Sequence, residues 1–69
     1  MTDRELAEGL AETMSLERRA REYWAATAAA NLPERDAALV VVRHTAALRQ
    51  AFERWIAARH LRAELSVKT

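Results

Sequence analysis

Two imidazoles and a handful of hydroxyls are the side chains to consider first for a catalytic or metal site, since no close cluster of carboxylates accompanies the histidines. His44 sits among valines, alanines and leucines in "DAALVVVRHTAALRQAFERWIAARHL", and His60 follows sixteen residues later. A zinc or iron site needs ligands at close helical or loop spacing. The two histidines have no such partners, and the chain has no cysteine. Nucleophilic catalysis needs a hydroxyl beside a base, the base beside an orienting group, and a concave site around all three. Ser15, Ser66 and the threonines show no such arrangement. The sequence therefore predicts no catalytic residue, no cofactor and no bound metal. His44 is expected to be a core residue that specifies register, with Glu17 as its nearest polar neighbour, as lone polar residues do on apolar helix seams. Imidazole titrates near neutrality, so a pH-sensitive interface is the functional alternative for His44.

The elements that must position these groups are helical. Alanine, leucine, glutamate and arginine dominate, with one glycine and one proline among 69 residues. "TDRE" reads as a capping box, with Thr2 as N-cap and Glu5 reaching back to it. "NLPERD" is the strong breaker: Pro33 disfavours helix at Leu32, and Asn31 can close one helix and cap the next. A single domain spanning 1–69 follows, with one helix over about 3–30, a turn at 31–33 and a second helix over about 34–65. A further break at Ser15, capping a helix that begins "LERR", is the alternative for the first half. "LVVV" favours strand by its β-branching, but it lacks turn signals and lies between good helix formers, so helix is the reading here.

Two helices joined by a short turn form an antiparallel hairpin. Asp3, Glu5, Glu8, Glu12 and Glu17 against Arg4 alone give residues 1–17 a charge of −4. Six cations against Glu53 and Glu64 give residues 37–69 a charge of +4. In a hairpin centred near Leu32, opposed residues have numbers summing to about 64, so Glu5 falls near Arg59, Asp3 near Arg62, and His44 near Ala20 and Glu17. Surface pairs of this kind fix alignment more than they stabilise.

At 3.6 residues per turn the first helix presents Leu6, Leu10, Thr13, Glu17, Ala20, Trp24 and Thr27, flanked by Leu16 and Tyr23. The second presents Ala37, Val41, His44, Leu48, Ala51, Phe52, Trp55 and Ala58 as its facing seam. Trp24, Phe52 and Trp55 are thus expected in the core, and Tyr23, at the stripe edge, is the aromatic expected to meet a partner. A second apolar line, Leu39, Val42, Ala46 and Ile56, lies on another face of the second helix, which is apolar nearly all round between Ala37 and Leu48. Something beyond the hairpin must cover that line. A chain this short has a marginal core unless disulfides, metal or a second chain add to it, and the first two are missing from its composition. The expectation is an all-α antiparallel helical hairpin that dimerises into a four-helix bundle, with Leu39, Val42, Ala46, Tyr23 and Ile56 at the dimer or partner interface.

The arginines raise nucleic-acid binding as a competing class: "ERRARE" is a basic cluster, and Arg43, Gln50 and Arg54 line one side of the second helix. Interleaved acids, a net charge of +1 and the lack of a helix-turn-helix pattern weigh against it. The longest apolar run, "AALVVV", is far short of the roughly 20 residues of a membrane span, and absent cysteine suits the cytoplasm.

In length and hairpin organisation, over the whole chain and with no signature motif, the sequence resembles small phage-encoded anti-activators that bind bacterial transcription regulators, including quorum-sensing receptors. It is also similar in shape to the small helical cochaperones of type III secretion, and in organisation to plasmid copy-number hairpin proteins that bind RNA. The first resemblance implies a non-enzymatic module that inhibits a bacterial regulator or ATPase by occluding its surface. It carries no functional residue onto this chain.

Overall fold

The computed structural model describes residues 1–27 and 32–68, with side chains through Leu65. Two helices, α1 (Asp3–Ala26) and α2 (Leu32–Lys68), pack against each other as a hairpin 58 Å long and about 16 Å across. No strand occurs among the described residues.

The start of α1 is the capping box expected from "TDRE". The Glu5 amide donates to Thr2 Oγ1 at 3.1 Å, and the Thr2 amide donates back to Glu5 Oε1 at 3.0 Å. Those hydrogen bonds, that from the Thr2 backbone foremost, hold the Glu5 carboxyl below its ordinary pKa. α1 then runs unbroken through Ser15 and closes at Thr27, whose amide bonds to the Tyr23 and Trp24 carbonyls. It ends earlier than the expected 30, and the expected turn residue Asn31 lies outside the described residues. α2 includes Leu32 and Pro33 in its first turn, a position where proline's missing N–H breaks no helical bond.

α1 turns inward the stripe that its periodicity predicts. Leu6, Thr13, Glu17, Ala20 and Thr27 are buried, and Leu10 and Trp24 half-buried. α2 does not. Its inward line is Ala38, Val42, Thr45, Arg49, Phe52, Ile56 and Arg59, buried or half-buried at alternating spacings of four and three. This is the coiled-coil seam pattern, but shifted by one residue from the expected seam, a rotation of about 100°. Ala37, Val41, His44, Leu48, Ala51, Trp55 and Ala58 are all exposed, and of the expected seam only Phe52 faces α1. Trp55 is thus no core aromatic within the hairpin, and His44 no core histidine.

The physical reason lies in what α1 offers. Its inward stripe carries Glu17 in the middle, a buried carboxylate that needs a cation, and the exposed Asp3 at its start accepts a second one. Arg49 Nε donates to Glu17 Oε2 at 2.8 Å, and Arg59 Nη1 donates to Asp3 Oδ1 at 2.8 Å, with a further bond from Arg59 to the Met1 carbonyl. Turning the arginines inward turns Val41, Leu48 and Trp55 outward. Gly9 supplies the third constraint. A Cβ there would lie 2.8 Å from Phe52 Cζ, so the ring fits α1 only where a side chain is missing. At the turn end, the Arg35 guanidinium stacks over Trp24, 5.6 Å from its centroid.

Glycine within a helix costs about 1 kcal/mol relative to alanine. Gly9→Ala is expected to recover that amount by chemical denaturation when Phe52 is first shortened to leucine. With Phe52 in place the gain should vanish. A full gain in both backgrounds contradicts the Gly9–Phe52 fit.

Candidate functional site

Three threonine hydroxyls are engaged within their own helices. Thr13 Oγ1 donates to the Gly9 carbonyl (2.8 Å), Thr27 Oγ1 to Trp24 (2.7 Å) and Thr45 Oγ1 to Val41 (2.9 Å), all three side chains lying in the hairpin seam. These bonds satisfy buried hydroxyls without a second helix's help. His44 Nδ1 lies 2.8 Å from the Val40 carbonyl oxygen, so the ring donates there and its Nε2 edge faces outward. Within the hairpin Glu17 bonds to Arg49 and Arg21, not to His44. His60 lines a dent with Asp3, Leu6, Ala7, Ile56 and Arg59. No group of three or more His, Asp or Glu side chains able to hold a metal ion occurs among the described residues.

The polar centre of the hairpin is an ion-pair cluster. Glu17, its side chain 11% exposed, accepts from Arg49 through Oε2 and pairs through Oε1 with Arg21 at 3.1 Å; Arg49 Nη1 also donates to Glu53 at 3.0 Å. The hydrogen bond to Glu17, then that to Glu53, holds the Arg49 guanidinium above its ordinary pKa. Both oxygens of Glu17 thereby have a cationic partner, which a buried carboxylate requires. Beside the cluster runs a groove of about 420 Å³ lined by Met14, Glu17, Arg18, Arg21, Glu22, Arg49 and Glu53. Met14 is half exposed, and Arg18 makes no ion pair among the described residues.

The other side of the hairpin is apolar. Val41, Leu48 and Trp55 are 47%, 48% and 46% exposed, and Leu48, Ala51, Phe52 and Trp55 line a depression with no polar wall. Gly9, Leu16 and Tyr23 recur at seven-residue spacing and so share one line of α1. Gly9 touches Phe52, which puts that line on the same side as Trp55. Leu16 and Tyr23 are 51% and 61% exposed. The result is a ribbon across both helices: Leu16 and Tyr23 on α1, then Val41, His44, Leu48, Ala51 and Trp55 on α2.

Of the residues expected at an intermolecular face, the structure leaves Tyr23 open. Leu39, Val42, Ala46 and Ile56 are half-buried, with Val42 and Ile56 in the line facing α1. Leu16, Val41, Leu48 and Trp55 are the open apolar residues that the periodicity assigned elsewhere. Their signal was present as the strongest apolar stripe of α2; only its direction differs. No helix among the described residues is long and apolar enough to cross a membrane. No protein-family model, curated protein or solved structure matches the chain.

Replacing both ends of a partly buried ion pair with apolar groups is commonly tolerated, whereas removing one end strands the other. Glu17→Leu alone is expected to lower the thermal midpoint by several degrees, with Glu17→Leu/Arg49→Leu recovering most of that loss. If the double variant melts below the single one, the cluster stabilises the hairpin outright.

Proposed function

We propose that this chain is a non-enzymatic protein-binding module of the bacterial cytoplasm, working as a homodimeric four-helix bundle that occludes a surface its partner needs. One observation carries the reading: the hairpin leaves more large apolar side chains outside than in. Leu6 is the one large side chain among the described residues that is wholly buried, while Met14, Leu16, Tyr23, Val41, Leu48 and Trp55 are each near half exposed or more. Exposed apolar area on this scale marks association surfaces in small proteins.

The two sides of the hairpin suit different neighbours. The uncharged ribbon suits a like surface. The Met14 groove, with Arg18 and Arg21 beside it, suits a partner that presents apolar and acidic groups, since methionine and arginine are enriched where proteins meet. Inhibition of a transcription regulator, in the manner of the phage anti-activators, is the form this takes in our reading. A type III secretion cochaperone is the variant in which the partner is a secreted subunit. The competing class is RNA or DNA binding by a hairpin dimer, for which Arg18, Arg19, Arg43, Arg54 and Arg62 are without ion pairs among the described residues, as is Arg35, which stacks on Trp24 instead.

Affinity purification from a bacterial host separates these readings. Wild-type protein is expected to retain one host protein stoichiometrically, in moderate salt and after nuclease treatment, and Met14→Glu/Arg18→Glu to lose it while keeping its own mass. Retention that collapses with nuclease or falls steeply with salt supports the nucleic-acid class. Equal retention by the double variant removes the groove from the account.

A further inference from the structure

We infer that the ribbon of Leu16, Tyr23, Val41, Leu48 and Trp55 is covered by a second copy of this chain, about a two-fold axis that crosses it at Leu16 and Leu48. This rests on the dimeric reading above and specifies its interface.

Area favours a second copy. A compact monomer of 7.8 kDa is expected to expose about 4,400 Å², and this chain exposes 5553 Å². The excess, about 1,200 Å², exceeds the roughly 800 Å² that each partner contributes to a standard interface. A two-helix layer leaves a side available to a second layer. Composition favours it too. From Ala37 to Ala58 the outer line of α2 has no charged residue, and His44, its one polar member, has its Nδ1 bonded to the Val40 carbonyl. An uncharged ribbon meeting its own copy brings no like charges together.

The pattern of sizes locates the axis. The Glu17–Arg49 and Asp3–Arg59 bonds join residues whose numbers sum to 66 and 62, so in this antiparallel hairpin Leu16 and Leu48, which sum to 64, lie about level. Each of these leucines is the centre of a pattern in which large opposes small. On α1, Gly9 and Tyr23 lie seven residues to either side of Leu16. On α2, Val41 and Trp55 lie seven residues to either side of Leu48, and the smaller His44 and Ala51 steps sit between them. A two-fold axis through the leucines and perpendicular to the helices stacks α1 on α1 and α2 on α2, each pair antiparallel. Tyr23 then meets the other copy's residue 9 and the Phe52 ring that fills the gap beside that glycine, and Trp55 meets the other copy's residue 41, a valine. His44 falls level with the other copy's residues 51 and 52, where an alanine leaves room for the imidazole. The contact is isologous, so both copies use the same surface and the assembly closes at two.

The cysteine-free chain allows single thiols to be placed at will. Light scattering of the full chain is expected to give twice 7.8 kDa. Leu48→Glu, which brings two carboxylates together at the axis, is expected to raise the dimer dissociation constant about a hundredfold or more. Met14→Glu, on the opposite side, should leave it unchanged. Leu48→Cys and Leu16→Cys should each form a disulfide-linked dimer under mild oxidation, and Met14→Cys should not. Because Leu48→Glu can unfold the hairpin as it dissociates it, the cysteine variants decide the matter in folded protein. A wild-type monomer at every concentration overturns the dimeric reading and this interface with it. A dimer that survives Leu48→Glu overturns the interface alone. Linkage only in mixtures of Leu16→Cys with Leu48→Cys overturns the axis, since it stacks α1 on α2.

Discussion

The hydrogen-bonded pair of Glu17 and Arg49 decides which way α2 faces. A carboxylate in the middle of α1's inward stripe cannot be left in an apolar seam without a cation. Arg49 is the cation that reaches it, and with Arg21 and Glu53 it completes a cluster in which each charge has a partner. Arg59 repeats the arrangement against Asp3 at the open end. Once these arginines turn inward, helical geometry requires the line one residue earlier to turn outward. That line is the most apolar of α2.

This inversion explains why half of the hairpin was legible in the sequence and half was not. The capping box and the inward stripe of α1 follow from local chemistry and occur where the residues indicate, whereas Pro33, expected in the turn, stands in the first turn of α2. On α2 the strongest apolar stripe and the facing seam are different lines. Periodicity points toward Val41, Leu48 and Trp55, and nothing in α2 alone shows that Arg49 and Arg59 have a prior claim on the interior. That claim becomes visible only when Glu17 is placed opposite them. The one-residue shift also carried His44 from an expected core position to an exposed one, and made Arg49 the partner that His44 was expected to be. The fit of the Phe52 ring against Gly9 likewise appears only once the two helices are placed together.

The same choice shapes the energetics. A seam of Thr13, Glu17, Thr27, Thr45, Arg49 and Arg59 gains alignment from its polar bonds but removes little apolar surface from water. Leu6, Ala20 and Ala38 are the fully buried apolar residues among those described. Hydrophobic burial is the main favourable term in folding, so a hairpin built this way depends on what covers its outer ribbon. In the dimer we propose, folding and association are coupled, and the polar seam specifies register while the apolar ribbon supplies stability. The groove at Met14 and Arg18 lies on the other side and stays available when the ribbon is covered.

Trp55 reports on this division directly, being the outer ribbon's largest side chain and one of two tryptophans in the chain. In a Trp24→Phe background its fluorescence can be followed across concentration with an aqueous quencher present. The account predicts a blue-shifted, poorly quenched Trp55 at high concentration that becomes red-shifted and quenchable on dilution. A Trp55 equally open to quencher at every concentration, in a chain that remains helical, would contradict it.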